Sequence, residues 1–176
     1  LNFVGNMYGT VWALFGTDAF EWNGLMVGLS LGGYGVFHAA VQALLPGPAS
    51  RRLGERNALL VGMACEIIGL LLTAIATQGW VVFAVLPLYA LGGVGVPALQ
   101  SLTTQQADAD KQGQLQGVMA SIVSVASIFG PLFFSAVYFG VRDTWPGLVW
   151  AAGVAVYLLA IPLILGVRRP PPAPQP

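Results

Sequence analysis

Apolar runs alternate along the chain with short stretches of Gly, Pro, polar and charged residues, and their spacing is that of helical membrane spans rather than of ten-residue alternating barrel strands. The pattern predicts one partial span at about 1–15 and five full spans at about 23–45, 58–77, 80–103, 115–139 and 147–167. At ~1.5 Å per residue the first reaches only ~22 Å, short of a ~30 Å hydrocarbon core, so its missing turn is expected before Leu1. No basic n-region or small-residue cleavage site marks the opening stretch as a signal peptide. The segment 168–176 is mostly proline and reads as a disordered or polyproline tail.

Composition strengthens this reading. Of 176 residues, 56% are hydrophobic and 8% charged, and the mean hydropathy is +0.76. A soluble domain carries roughly a quarter charged residues, so this surface is built to face hydrocarbon, with no length left for a second domain. Seven basic and seven acidic residues cancel, leaving no basic face for a nucleic-acid backbone. The single cysteine, Cys65, offers no internal disulfide and reads as inert packing. The fold class expected is an all-α integral membrane bundle of six helices.

Loop charges orient it. Arg51, Arg52, Arg56, Lys111, Arg168 and Arg169 fall by parity on one side, expected to be the cytoplasm, with both chain ends there; Asp18, Glu21, Arg142 and Asp143 fall on the other. Trp22, Trp80 and Trp145 stand where interfacial aromatics anchor span ends.

An ionisable group inside a span costs several kcal/mol unless it faces protein or water, so such groups point to function. Two qualify, His38 and Glu66, each about 10 to 12 Å above the same end of adjacent antiparallel helices. Ser30, Tyr34, His38 and Gln42 form a polar stripe at spacing four or eight, expected to line a wet cavity facing a missing half. Gly24, Gly28 and Gly32 lie opposite, where close packing on another helix of this half is expected. Structural alternatives stand beside these: a carbonyl-bonded His38, a stripe that is interhelical glue, and a buried structural Glu66. Gly92, Gly93 and Gly95 between Pro87 and Pro97 read as a bend. Ser121, Ser124 and Ser127 are expected to bond back onto their own helix. No Ser/His/Asp set, paired catalytic carboxylates or metal-ligand cluster shares one depth, which disfavours an intramembrane enzyme.

The chain also resembles the C-terminal half of the tetracycline/proton antiporters of the major facilitator superfamily. The resemblance rests on GNMYGTVWALFG (Gly5 to Gly16), MVGLSLGGYGVFHAAVQAL (Met26 to Leu44), GPASRRLGERNALLVGMACE (Gly47 to Glu66), GGVGVPALQSL (Gly92 to Leu102) and QGQLQG (Gln112 to Gly117). It implies that the six spans are helices seven to twelve of a two-half transporter of the bacterial inner membrane. It also implies that His38 and Glu66 couple protons, that Asn6, Ser30, Tyr34, Gln42 and Glu66 contact substrate, and that Arg51, Arg52, Gly54 and Arg56 belong to a cytoplasmic loop gate. The family usually has aspartate where this chain has Glu66 and a glutamine where it has Asn6. The partners so implied are a small-molecule drug, protons, lipid and the absent N-terminal half. No resident cofactor or metal site is implied, a divalent ion entering only as part of a tetracycline chelate. The alternatives are an exporter of another small molecule, or a transporter half without independent activity.

Overall fold

A computed structural model describes residues 1–105 and 111–166; 106–110, Arg168, Arg169 and the proline-rich tail lie outside the described residues. Every element among the described residues is an α-helix: α1 (Asn2–Phe20), α2 (Gly24–Leu44), α3 (Pro46–Leu53), α4 (Glu55–Ala74), α5 (Gly79–Gly92), α6 (Gly95–Thr104), α7 (Gln112–Val141) and α8 (Leu148–Gly166). Five stretches are long and apolar enough to cross a membrane, α5 and α6 counting together as Gly79–Thr104. The chain is a multi-pass, all-α membrane bundle.

α1 is the remaining long helix, and it continues past Phe15 to Phe20, 19 residues or about 28 Å. Thr17 and Asp18 look like loop residues in the sequence, yet the helix absorbs both. The Thr17 hydroxyl donates to the Ala13 carbonyl. Asp18 accepts from the Tyr138 hydroxyl at 2.7 Å and pairs with Arg142 at 3.3 Å, both at the end of α7. The helix then stops on Glu21, left-handed at φ 55°, with the Trp22 amide donating back to the Gly16 carbonyl. That turn folds Trp22 inward, so it is only 9% exposed, wedged over Gly16 and Gly79. It joins the ends of α1 and α5 and is not the interfacial anchor expected; Trp80 and Trp145 are the exposed ones.

The stretch 46–57, expected as a loop, contains the short helix α3, started by Pro46 and ended by Gly54 at φ 75°. α4 sits at the centre, packed on α3, α5, α6 and α8; α1 packs on α7, and α2 on α5. α5 thus lies between α2 and α4, which are consecutive long helices in the chain but do not form a packed pair. α4 and α6 approach closely: a Cβ on Gly62 would stand 2.8 Å from the Gly95 nitrogen.

The two ends of the bundle differ in charge. Arg51, Arg52, Arg56 and Lys111 lie at helix ends that meet where the Arg56 guanidinium donates to the Leu165 carbonyl of α8 at 2.7 Å. Asp18, Glu21, Arg142 and Asp143 lie at the other end. Between them the flanks are apolar and bare: Val36 is 71% exposed and Leu159 76%, as a surface solvated by lipid requires.

Candidate functional site

The site forms where the fourth span breaks. α5 ends at Gly92 and α6 begins at Gly95, with Pro87 inside α5 and Pro97 in the first turn of α6. Pro97 has no N–H, so the Gly93 carbonyl lacks its ordinary i+4 donor. It accepts instead from the Val96 amide at 3.3 Å and from the Gln42 side-chain amide at 3.3 Å, the second bond tying α2 to the break. Gln42 also stands 3.4 Å from Nε2 of His38, one turn earlier on α2.

The two glycines of the break make room for the two ionisable side chains. A Cβ on Gly92 would overlap the Glu66 side chain, and one on Gly93 would come within 2.8 Å of His38 Nε2. Glu66 from α4 and His38 from α2 therefore approach opposite sides of one dipeptide, brought together by α5 and α6 and not by direct packing of their own helices. Both line a cavity of about 230 Å³ with Tyr8, Tyr34, Tyr157 and Val96. The Tyr34 ring lies 5.3 Å from the His38 ring.

Tyr8 is the residue that sequence reasoning missed. Its hydroxyl donates to Oε2 of Glu66 at 2.8 Å, so the carboxylate is met by a donor from α1. Tyr8 in turn belongs to an aromatic cluster with Trp12, Tyr89 and Trp150, at centroid distances of 5.1 to 6.0 Å. Nothing in the local sequence marks it; the signal is tertiary, a tyrosine on a helix that crosses in front of an intramembrane carboxylate.

Other residues of the expected site stand elsewhere. Ser30 is fully buried, accepting from Trp12 Nε1 at 2.9 Å and donating to the Val27 carbonyl; it fixes α2 to α1 and does not line the cavity. Asn6 donates to the Ala126 carbonyl of α7 at 3.2 Å, one turn before Pro131, and likewise joins helices outside the cavity. The stripe on α2 thus faces α1, α5 and the break. The same bonds turn Gly24, Gly28 and Gly32 outward, where a Cβ would meet nothing within 4 Å, so the expectation that they pack on a helix of this half is corrected. Gly33 approaches α5 instead, its Cβ position 3.3 Å from Leu86. Ser121 and Ser124 donate to the carbonyls four residues back.

Of the loop residues, Arg56 holds the end of α8, Gly54 provides the turn between α3 and α4, and Arg51 and Arg52 are exposed on α3. Glu55 beside them accepts from Ser50 at 2.5 Å and from Ser101 of α6 at 2.9 Å, locking three helix ends together. Among the described residues no three His, Cys, Asp or Glu side chains converge as a metal site.

Comparison with known proteins agrees with this architecture. The chain is 44% identical to the class C tetracycline resistance protein of Escherichia coli over 93% of its length. It is 45% identical to the class G protein of Vibrio anguillarum over 97%, and 42% identical to the class E protein of Escherichia coli over 92%. It spans only 41%, 42% and 40% of those proteins. The family model of the Major Facilitator Superfamily matches residues 2–176. Five membrane-spanning stretches beside the long α1, and a broken helix at an intramembrane carboxylate, accord with that match: the chain belongs to the Major Facilitator Superfamily.

Proposed function

We propose that the chain forms one half of a drug/proton antiporter of the bacterial cytoplasmic membrane, which exports a tetracycline, as its divalent-metal chelate, in exchange for protons. The observation that carries this reading is the meeting of Glu66, His38 and Tyr8 around Gly92 and Gly93. A carboxylate at membrane depth is stable when it is paired or protonated. An ionised Glu66 attracts a cationic chelate and a protonated one does not, so substrate and proton compete for one group. His38, whose imidazole nitrogens can both accept and donate a proton, passes the proton between the carboxylate and water. Tyr8 holds the carboxylate in place, and the half-helices α5 and α6 give the site a flexible wall at the midplane, as broken helices do in other transporters. Similarity to the tetracycline resistance proteins supports the substrate class. On this reading the protein moves its substrate without transforming it, and the arginine-rich end faces the cytoplasm.

The test is pH-gradient-driven tetracycline uptake into everted vesicles carrying the full-length transporter, normalised to protein level. Glu66→Gln, nearly equal in volume, is expected to abolish uptake. Wild-type uptake by the variant would make the carboxylate structural and overturn the proposal.

A further inference from the structure

α1 and α2 are joined by the bond of Trp12 to Ser30, and both pack on α5. Residues of these three helices, Tyr8, Gly9, Trp12, Leu31, Tyr34 and Tyr89, line a second, half-open cavity of about 110 Å³. It adjoins the Glu66 cavity, since Tyr8 and Tyr34 are walls of both. From this juxtaposition we propose that the second cavity is a binding subsite for the flat, apolar ring system of the same cationic substrate whose charge Glu66 meets.

Four aromatic rings line the cavity, and the polar ends of three are engaged away from it. The Tyr8 hydroxyl is bonded to Glu66, the Trp12 indole N–H to Ser30, and the Tyr89 hydroxyl to Thr73 and the Gly69 carbonyl. What remains toward the cavity is ring surface, which rewards stacking by another planar ring and offers a polar ligand little. The rings are held at angles to one another, with Tyr89 edge-on to both Tyr8 and Trp12 at 77° and 75°, so the walls form a box and not a flat stack. Gly9 leaves one side of the box open: a Cβ there meets nothing within 4 Å. At about 110 Å³ the cavity is smaller than the ~150 Å³ that accepts a whole benzene, so it takes the edge of a ring system while the rest of the ligand extends into the 230 Å³ chamber. A substrate with its charge at one end and fused rings at the other fits the pair of cavities; a small cation without rings fits only the first.

This inference rests on the proposed function for the charged end of the ligand, and the test separates the two. The full-length transporter in nanodiscs is titrated with tetracycline, with proflavine as a planar cation, and with tetramethylammonium as a cation without rings. Gly9→Leu adds a bulky, helix-favouring side chain on the open side of the box, where a Cβ meets nothing within 4 Å, and the melting temperature of the unliganded variant checks its folding. The expected result is about tenfold weaker binding of tetracycline and proflavine in Gly9→Leu, about 1.4 kcal/mol, with Gly9→Ala close to wild type and tetramethylammonium unaffected. Unchanged tetracycline affinity in a Gly9→Leu protein whose transport still depends on Glu66 would overturn the subsite and leave the proposed function standing. Proflavine binding that is lost in Gly9→Leu, in a protein that does not bind tetracycline, would support the subsite and sink the proposed substrate. Failure of both planar ligands to bind wild type would overturn the subsite.

Discussion

The Tyr8 hydroxyl donates to Oε2 of Glu66 at 2.8 Å, a bond from α1 to the central helix α4 made at the wall of the chamber that also holds His38. A hydrogen bond to a charged group is worth roughly 1.5 to 3 kcal/mol. Tyr8→Phe removes that donor and keeps the ring, and is expected to weaken tetracycline binding at neutral pH about tenfold or more. Binding titrations of Tyr8→Phe, Glu66→Gln and the double variant check this. The double variant should bind no worse than Glu66→Gln alone, since the two residues act as a unit; additive losses would mean that Tyr8 acts independently of the carboxylate.

The glycines of the break are expected to be sensitive in a specific way. Gly92→Ala puts a methyl group where the Glu66 side chain now lies, and Gly93→Ala crowds His38; overpacking of this kind costs about 1 to 3 kcal/mol. Gly92→Ala should therefore lose transport, and Glu66→Asp, one methylene shorter, should restore part of it. Vesicle uptake by the single and double variants decides the matter, and no rescue by the shorter acid would remove the steric link.

The sequence made the helices legible because apolar runs separated by charge and proline have one meaning at this length. It also made His38 and Glu66 legible, since ionisable groups inside spans are few. The rotation of α2 was not legible. That helix is apolar on nearly every side, which blurs the signal that tells inside from outside, and only the bonds of Ser30 to Trp12 and of Gln42 to Gly93 turn its glycines out. The length of α1 was hidden for a related reason: Thr17 and Asp18 resemble a loop until Tyr138 and Arg142, more than a hundred residues on, satisfy the carboxylate. Tyr8 falls in the same class, as its role depends on a partner 58 residues away.

Trp22 gives a prediction about stability. Gly16→Ala places a methyl 2.5 Å from the indole, and should lower the melting temperature of the purified protein in detergent by an amount corresponding to about 1 to 3 kcal/mol. Glu21→Gly, at the left-handed residue before it, should raise stability by about 1 kcal/mol. Equal melting temperatures for Gly16→Ala and wild type would contradict the wedge.

Sidedness is expected to follow the charges. Cysteines at positions 52 and 143, at opposite ends of the bundle, should react with a membrane-impermeant maleimide from opposite sides, position 52 from the cytoplasm. Labelling of both from the same side would contradict the bundle as described.

The central claim is that drug and proton exchange on one carboxylate, and proton release on binding measures it directly. Purified full-length transporter in weakly buffered detergent solution, near neutral pH, is mixed with tetracycline and magnesium, and the pH change is followed for wild type and Glu66→Gln. Because binding of the cationic chelate requires the ionised form, wild type should release protons in proportion to the drug bound, less as the starting pH is raised, and Glu66→Gln should release none beyond the drug-only blank. Proton release of equal size from Glu66→Gln would contradict the claim and move the exchange to another group.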